Sequence, residues 1–289
     1  MSQWQPSASV IGVGKTKFGP TSKTLVQLIH EAIRDALRDA DLRAEDIQAF
    51  VVANFLGGPN NSQLHLNAVV AGLLPGLNVP SWRVEAACAS GGVAMHQAIL
   101  ALDAYDPILV IGAEHMSGVP GLEITRNIGM AGDVDLDQAA GLTFPATYAI
   151  VAQSHMQAYG TTTEDLDNVS HKNHLNARLN PKAHFHHKRV EMSDVQAGVT
   201  VAAPLRLFDC CPISDGASAA IVSMSRTDQR SVRVLGSAVS SDVISLSQRT
   251  QKTSFRAACD AGERAYRQAG VGPSDIELAE VHDCFTIAE

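Results

Sequence analysis

The sequence predicts a layered α/β fold with two similar halves and a long segment inserted into the first half. Three observations predict this architecture: apolar strands alternate with amphipathic helices, one helix–turn–strand segment occurs twice, and residues 115–200 are richer in polar residues and glycine. Of the 289 residues, 45% are hydrophobic and 18% are charged, which suffices for the core of one large domain or of two smaller ones.

The alternation starts with a strand at Ser9–Val13 and a helix at Thr24–Ala40, whose apolar residues recur every three or four positions. Pro107–Ala113 has the continuous apolar character of a strand in a parallel sheet. The other predicted elements are the strand Ile47–Ala53, the helix Leu64–Leu74, the extended segment Ser81–Ala87, the helix Gly92–Leu102, the helix-like stretch Tyr148–Tyr159, the strand-like stretch Arg206–Met224, the strand Val232–Ser237, the helix Ser254–Ala269 and the strand Ile276–Val281.

An internal repeat supports the two halves. Residues 31–47 align without gaps onto residues 260–276, and each copy reads as an amphipathic helix, a short turn and an Asp-Ile pair that opens a strand. Identical residues at the aligned positions include Ala36, Arg38, Ala40, Asp46 and Ile47, matched by Ala265, Arg267, Ala269, Asp275 and Ile276. A few alanine matches arise by chance, but the shared order of elements favours gene duplication and two α/β halves around a common helix layer.

Composition excludes several classes of function. The net charge is −8 and no basic run occurs, so nucleic acid is not an expected partner. No apolar run reaches the length of a membrane span, and the polar start Met1–Gln5 does not resemble a signal peptide. Five cysteines without framework spacing indicate a reducing compartment, and we expect a cytoplasmic protein.

Cys88 is the first candidate for chemistry. It lies in Val84–Gly92, between an extended segment and an apolar helical run. The N–H groups and positive end of a helix favour a thiolate there, and small neighbours let a substrate approach. Taken alone, the segment favours a packed structural thiol; the repeat and the last nine residues of the chain change that preference towards a nucleophile.

Ten segments along most of the chain carry a family resemblance. They are Val10–Gly19, Glu85–Gly92, Thr143–Pro145, Tyr148–Ala149, His155–Met156, Lys172–His174, Asn176–Ala177, Asn180–Pro181, Asp209–Ala217 and His282–Phe285. They resemble the thiolase superfamily, and within it the sterol-carrier-protein-x-type thiolases and related acetyl-CoA acetyltransferases. The His282–Phe285 motif is the most specific, because most thiolases carry Asn-Glu-Ala-Phe where this subgroup carries His-Asp-Cys-Phe.

The resemblance implies a thiolase-like fold, with two duplicated mixed-sheet halves in an α/β/α/β/α arrangement and an inserted loop domain. The first half would take residues 1–114 and 201–225, the loop domain residues 115–200, and the start of an incomplete second half residues 226–289. It also implies that the Cys88 thiol attacks an acyl-CoA thioester and that a second acetyl-CoA then attacks the acyl group. Run backwards, these steps cleave a 3-oxoacyl-CoA.

The resemblance assigns roles to the motif near the end of the chain. His282 would help to hold the thioester oxygen of the second substrate, and the backbone N–H of Cys88 would serve a second oxyanion hole. Asp283, Cys284 and Phe285 are expected around the substrate, with Asp283 orienting loops and Cys284 either lining the pocket or packing as a structural thiol. No metal or cofactor is expected; acyl-CoA is the substrate.

The chain also departs from the family pattern. Thiolases continue beyond the position of Glu289 with a Gly-His-Pro-type motif, whose histidine activates the nucleophile, and a Cys-x-Gly-Gly-Gly-type motif. Neither motif occurs in this sequence, and Cys259 lies in a predicted helix without flanking glycines. Three interpretations stay open: a fragment of a longer enzyme, which we expect; a split enzyme completed by a partner; or a derivative that cannot complete the cycle.

Two other functions compete with acyl transfer. Relatives in steroid side-chain breakdown perform retro-aldol cleavage beside a small zinc-bearing OB-fold partner, but they do not depend on a cysteine nucleophile, so Cys88 argues against that activity. A binding or lipid-transfer module would fit the absent motifs. A homodimer or dimer of dimers is expected from the family.

Several other motifs have an ordinary interpretation. Cys210–Cys211 is expected to be structural, because adjacent strand residues point to opposite faces. Gly12–Gly14 lacks the third glycine of a dinucleotide fingerprint. A cluster of three histidines favours a solvated loop near CoA over a metal site: His184, His186 and His187. Four nearby cations could bind CoA phosphates or be ordinary surface charge: Arg178, Lys182, Lys188 and Arg189.

Overall fold

The computed structural model describes residues 8–289; the Met1–Gln5 segment, predicted not to be a signal peptide, lies outside the described residues. The chain forms two compact units. Unit 1 comprises Met1–Gly118, described from residue 8, with Ser214–Ser240 and Cys259–Asp275. Unit 2 comprises Val119–Ile213, Ser241–Ala258 and Ile276–Glu289. The predicted domain division at residues 114, 200 and 225 stays a prediction.

The strands and helices of the described chain are numbered in chain order. The strands are β1 (Ser9–Lys15), β2 (Ala49–Ala53), β3 (Ser81–Val84), β4 (Ile108–Glu114), β5 (Thr200–Ala202), β6 (Leu205–Arg206), β7 (Gly216–Ser223) and β8 (Val232–Arg233). The helices are α1 (Leu25–Asp39), α2 (Gly57–Asn61), α3 (Leu66–Ala71), α4 (Ser90–Ala101), α5 (Gly121–Gly129), α6 (Phe144–Tyr159), α7 (Thr163–Leu179), α8 (Met192–Gln196) and α9 (Arg256–Ala269).

Unit 1 is built on a six-stranded mixed sheet in the order β3-β2-β4-β7-β1-β8. β2 is parallel to both β3 and β4, with Ala53 paired to Val84 on one side and to Gly112 on the other. β7 is antiparallel to β4 and β1. The carboxyl ends of β2, β3 and β4 therefore meet at one edge of the sheet, and this edge carries the candidate site.

Helix α1 shows why the sequence folds as it does. Thr24 accepts the N–H of Gln27 while the Gln27 side chain accepts the N–H of Thr24, a capping box that starts the helix. The apolar residues at helical spacing are buried: Leu25, Leu28, Ile29, Ala32, Ile33 and Ala36. They pack with side chains of β2, β4 and β7 in one hydrophobic core. A second core lies around α4 and contains the alternate side chains of β2 and β4.

Unit 2 is mainly helical. Thr143 caps α6, and Thr162 with Asp165 forms a capping box at α7. Its core brings Ala149 and Ala152 of α6 together with Leu166, Leu205 and Phe285. Within residues 8–289, no helix combines the length and the apolar character that crossing a membrane requires.

Most predicted elements are confirmed, with shifted ends. Helix Leu64–Leu74 shortens to α3, Tyr148–Tyr159 is the end of the longer α6, and Arg206–Met224 divides into β6, a tight turn and β7. Of the strand predicted at Val232–Ser237, only β8 forms, and it pairs with β1.

The strand predicted at Ile276–Val281 is wrong for the described residues. Ile276, Leu278 and Val281 are 43%, 81% and 54% exposed, and no described strand lies beside them. An extended apolar segment becomes a strand only when a neighbour accepts its backbone hydrogen bonds. The second repeat therefore contributes a helix and a turn to unit 1, but no sheet of its own within residues 8–289.

Candidate active site

Cys88 lies in a strained turn between β3 and α4. The turn Ala87–Ala89 is a short 3-10 segment, and Ala87 has φ 46°, in the left-handed region that costs a non-glycine residue energy. Two side chains hold it: Ser90 Oγ accepts the Ala86 N–H at 2.9 Å and donates to the Ala87 carbonyl at 2.6 Å, and Glu85 accepts the Ala87 N–H at 2.6 Å. The turn presents Cys88 as an exposed residue ahead of α4.

The pKa of the Cys88 thiol is raised, opposite to the thiolate expected from the helix end. Although the residue is exposed, the protein atoms around its sulfur remove water, and this desolvation is the largest cause. The Glu114 carboxylate adds to the rise, whereas the N–H of Cys88 itself lowers the pKa. Cys88 is therefore a protonated thiol near neutral pH, and acyl transfer through it requires a base.

Polar side chains gather at the same sheet edge. Asn54, which is buried at the end of β2, donates to the Ala113 carbonyl at 2.8 Å and accepts the Gly57 N–H at 2.7 Å. Glu114, at the end of β4, accepts the N–H groups of Phe55 and Leu56. These contacts fix the chain that leaves β2 against the end of β4.

Asp215 fixes the start of β7. Its fully buried carboxylate accepts N–H groups of Thr21 at 3.0 Å, Met116 at 2.7 Å and Ser117 at 2.8 Å, and the Ser117 hydroxyl at 2.5 Å. Burial pushes the pKa of Asp215 upwards, but the hydrogen bonds from Ser117, Met116 and Thr21 outweigh it and the pKa is lowered. The resemblance segment Asp209–Ala217 thus contains a structural carboxylate.

The His282–Phe285 motif belongs to unit 2. Phe285 pairs with Cys210 in an antiparallel bridge, and Cys211 donates its N–H to the Cys284 carbonyl at 3.0 Å. Cys284 and Phe285 are buried. Their side chains are therefore part of the unit 2 core, which is the structural alternative the sequence left open for Cys284.

Asp283 and His282 are exposed. Asp283 accepts a hydrogen bond from Asn173 of α7 at 2.7 Å, and Thr286 donates to the buried Asp209 at 2.8 Å. Within residues 8–289, His282 makes no hydrogen bond or ion pair. The hydrogen bond from Asn173 joins Asp283 to α7, while His282 presents a solvent-accessible imidazole. The roles predicted for both residues stay predictions.

Unit 2 also contains a cavity of about 260 Å³ beside α7. Lys188 places its ammonium 5.2 Å from the ring centre of Phe185 and 5.1 Å from that of Phe208. His174 donates from Nδ1 to the Ser170 carbonyl at 2.9 Å, which leaves Nε2 as an acceptor, buried and without a partner among the described residues. The sequence placed His174 in a resemblance segment without assigning it a role.

Two family profiles match the chain. The thiolase N-terminal domain matches residues 8–227, and the thiolase C-terminal domain-like profile matches residues 238–289. The chain belongs to the thiolase family. This thiolase is 42% identical over 290 residues to an acetyl-CoA acetyltransferase of Methanothermobacter thermautotrophicus, covering 96% of the chain and 74% of the relative.

Solved structures agree with this family. The Ltp2-ChsH2(DUF35) aldolase superimposes with a TM-score of 0.81 at 26% identity, covering 98% of this thiolase and 75% of that chain. The acetyl-CoA acetyltransferase from Syntrophomonas wolfei gives a TM-score of 0.76 at 19% identity, covering 97% and 80% of the two chains, and shows the fold. The predicted thiolase-like α/β fold and membership of an acyltransferase family are confirmed.

The other cysteines and the histidine cluster were the remaining candidates. None of the five cysteines of this thiolase forms a disulfide, and burial followed by the Asp209 charge raises the pKa of Cys210 to about 11. The imidazole rings of His186 and His187 lie edge to face, with their centres 4.5 Å apart. No group of three or more metal-binding side chains of the residues 8–289 is close enough to hold an ion. Cys259 is exposed on α9.

Proposed function

We propose that this thiolase forms or cleaves 3-oxoacyl-CoA by ping-pong acyl transfer through Cys88. The observation that carries the proposal is the strained, exposed Cys88 turn at the carboxyl edge of β3 and the start of α4. The 42% identity to an acetyl-CoA acetyltransferase supports the acyl-CoA substrate.

The covalent step transfers the acyl group from one sulfur to another. A base takes the proton of the Cys88 thiol, and Sγ attacks the thioester carbonyl. The bond between the acyl carbon and the CoA sulfur breaks, and CoA leaves as a thiol after the proton is returned to it. In the second step, a base takes a proton from the methyl carbon of acetyl-CoA, and that carbon attacks the acyl carbon. The bond to Sγ breaks, and Cys88 is released as a thiol after taking up a proton. His282 holds the thioester oxygen of this second substrate by donating a hydrogen bond.

The unit 2 cavity supports acyl-CoA as the ligand. Its lining combines the apolar side chains of Phe185, Leu207 and Phe208 with polar ones, which include the carboxylates of Asp209 and Asp283 and the Lys188 ammonium. Lys188 forms no ion pair with a carboxylate of the described residues. Apolar surface together with a few placed polar groups is typical of small-molecule sites. Lys188 offers a positive charge to a CoA phosphate, and the buried acceptor of His174 offers a partner for an N–H or O–H group.

The test is the intact mass of the full chain after incubation with acetyl-CoA at alkaline pH, where more of Cys88 is thiolate. One acetyl group per chain is expected in the native protein and none in Cys88→Ala. Cys259→Ala is the matched control, because it removes another exposed thiol, on α9, and should leave the Cys88 adduct unchanged. A native chain without adduct, or an adduct that persists in Cys88→Ala, overturns the proposal.

A second candidate function is retro-aldol cleavage of an acyl-CoA, favoured by the 0.81 TM-score to the aldolase structure. Release of an aldehyde or ketone without an acyl-enzyme, unchanged in Cys88→Ala, would identify it. Co-purification with a small zinc-binding OB-fold protein would support a multienzyme assembly under either activity. A lipid-transfer function would show ligand binding without turnover.

Oligomeric state and location complete the proposal. We propose a homodimer or dimer of dimers, a cytoplasmic location, a role in lipid metabolism and no cofactor, which the family and the composition support. Light scattering of the purified chain measures the oligomeric state directly, and a monomeric mass would contradict the proposed dimer.

A further inference from the structure

Cys211 and Cys284 lie opposite each other on two segments of unit 2. Cys210 and Phe285 pair in an antiparallel bridge, so Cys211 and Cys284 are the next residues that face each other across it. The Cys211 N–H donates to the Cys284 carbonyl at 3.0 Å, which is one of the bonds that join directly opposed residues of antiparallel segments. Two cysteines far apart in the sequence are therefore in direct backbone contact.

This pairing matches the backbone spacing that a disulfide requires. Opposed residues of a hydrogen-bonded antiparallel pair have Cα atoms about 5.5 Å apart, and their Cβ atoms lie about 4.5–5.5 Å apart on the same face. A disulfide spans Cα atoms about 4.4–6.8 Å apart and Cβ atoms about 3.5–4.5 Å apart. Neither cysteine forms a disulfide in the structure, and rotation of the two side chains with little backbone movement would allow the bond to form.

Neighbouring contacts hold the two segments in this register. Phe285 stacks on Tyr148 of α6, and the Thr286 hydroxyl donates to the buried Asp209 carboxylate at 2.8 Å. Both contacts lie within two residues of the cysteine pair, one on its apolar side and one through a polar bond. Because the fold keeps the two thiols together, a reaction between them is effectively intramolecular.

The two thiols differ in their access to solvent. Cys211 is exposed, whereas Cys284 is 9% exposed and packs in the core of unit 2. An oxidant in solution therefore reaches Cys211 first, and Cys284 is placed to react with the product. An accessible cysteine next to a second, resolving cysteine is the arrangement that redox-sensitive sites use.

Cys210 is the competing thiol, because it adjoins Cys211 in the sequence. Its Sγ donates to the Arg206 carbonyl at 3.5 Å, and the residue is half-buried. Burial followed by the Asp209 charge raises its pKa to about 11, so little of it is thiolate near neutral pH. Cys210 is therefore protected from oxidants in a way that Cys211 is not.

We propose that Cys211 and Cys284 form a redox modification site that a peroxide converts into a disulfide. The Cys211 sulfur attacks one peroxide oxygen, the O–O bond breaks, and the products are a Cys211 sulfenic acid and water, which carries the proton lost by the thiol. The Cys284 sulfur then attacks the Cys211 sulfur, the S–O bond breaks, and the hydroxyl leaves as a second water with the Cys284 proton. Two thiols lose two electrons, and one peroxide is reduced to two waters. A small thiol reverses the oxidation by thiol–disulfide exchange.

The disulfide would join the His282–Phe285 motif covalently to the wall of the unit 2 cavity. Cys211 and Asp209 line that cavity from one segment, and Asp283 lines it from the other. Oxidation would therefore fix two segments that only non-covalent contacts hold together in the reduced chain. This redox site is independent of acyl transfer, because its residues contact each other whatever reaction Cys88 performs.

The test is peptide mapping of the full, reduced chain after treatment with hydrogen peroxide. Remaining thiols are blocked with N-ethylmaleimide, and the chain is digested without reductant. We expect one main crosslinked peptide pair, Cys211 to Cys284, which a reductant separates. Cys259, exposed on α9, is the internal comparison and should enter no crosslink with either residue. Accumulation of Cys211 as a sulfinic acid without a crosslink overturns the proposal.

Variants assign the crosslink within the adjacent pair. Cys211→Ser should abolish it, whereas Cys210→Ser is the matched control and should retain it. Cys284→Ala should also abolish it and leave a Cys211 sulfenic acid that dimedone traps. A crosslink that survives Cys211→Ser, or that is lost in Cys210→Ser, overturns the proposal. If the buried Cys284→Ala substitution prevents folding, the native chain and the other two variants decide.

Oxidation of the unfolded chain tests whether the fold aligns the two thiols. In denaturing urea the fraction of Cys211 crosslinked to Cys284 should fall several-fold, because the bridge beside them is lost and other pairings compete. Equal fractions in the native and the unfolded chain overturn the proposal. The urea midpoint of the oxidised native chain should also rise above that of the reduced chain, and Cys211→Ser should show no such oxidant-dependent rise.

Discussion

Phe285 stacks on Tyr148 with ring centres 4.4 Å apart and an angle of 23° between the planes. Tyr148 lies on α6 and Phe285 is 6% exposed, so the stack ties the His282–Phe285 motif to the core of unit 2. Asn173 of α7 contacts both Asp283 and Glu289. The motif is therefore placed by an aromatic anchor on one side and polar contacts on the other, which leaves His282 exposed.

Phe285→Ala should destabilise unit 2 by about 3 kcal/mol, since it removes a buried ring and leaves a cavity beside Tyr148. Urea unfolding followed by circular dichroism measures the change. Phe255→Ala is the control: Phe255 is half-buried and 6.2 Å from Tyr148, and its loss should cost about 1 kcal/mol. Equal effects of the two substitutions would contradict the anchoring role of Phe285.

Ser90→Ala should slow acetylation of Cys88 by about tenfold, because the hydroxyl holds both Ala86 and Ala87 in the strained turn. The loss of these hydrogen bonds should also lower the free energy of unfolding by about 1 kcal/mol. Single-turnover mass spectrometry with acetyl-CoA measures the rate. Ser90→Thr retains a hydroxyl and should recover most of it; a Thr variant as slow as Ala would argue against the hydrogen-bond explanation.

The repeat shows how far the sequence predicts the fold. Asp46 Oδ2 accepts the Arg43 N–H at 2.9 Å, and Asp275 Oδ2 accepts the Gly272 N–H at 2.8 Å, each closing a 3-10 turn after an amphipathic helix. These bonds join residues three positions apart, so the local pattern was enough to predict a short turn in each copy. The strand predicted after Asp275 depends on a neighbouring strand, which a local pattern cannot supply.

The candidate site likewise has features that the local sequence predicts and features that only the tertiary structure shows. Cys88 could be chosen as a candidate from the sequence because its turn is local, from Val84 to Gly92. Glu114 and the Phe285–Tyr148 stack were missed, because strand order and helix packing bring distant residues together. The raised pKa of Cys88 was missed for the same reason: desolvation and Glu114, both set by tertiary structure, outweigh the local effect of the helix end.

Gly14→Ala should destabilise unit 1 by about 1–3 kcal/mol, because a methyl group there would lie 2.0 Å from the Ala32 carbonyl oxygen of α1. The helix would have to move away from β1. Gly112→Ala is the matched control, a strand glycine of the same sheet whose added methyl meets nothing within 4 Å. Thermal unfolding of both variants tests the close approach, and a Gly14→Ala chain as stable as Gly112→Ala would contradict it.

Asp215→Asn should destabilise unit 1 by about 1–3 kcal/mol at neutral pH, since the new amide group cannot accept all the N–H donors that converge there. Because the folded-state pKa of Asp215 lies below the usual 3.8, its contribution is fully present above about pH 4 and is lost as the pH falls through the lowered value. The stability difference between native chain and variant should therefore shrink below pH 4, as measured by urea unfolding at a series of pH values. Asp103→Asn, at an exposed position of unit 1, is the control, and its stability difference from the native chain should not change with pH. A pH-independent difference for Asp215→Asn would mean that the Asp215 carboxylate is not the ionised acceptor of these hydrogen bonds.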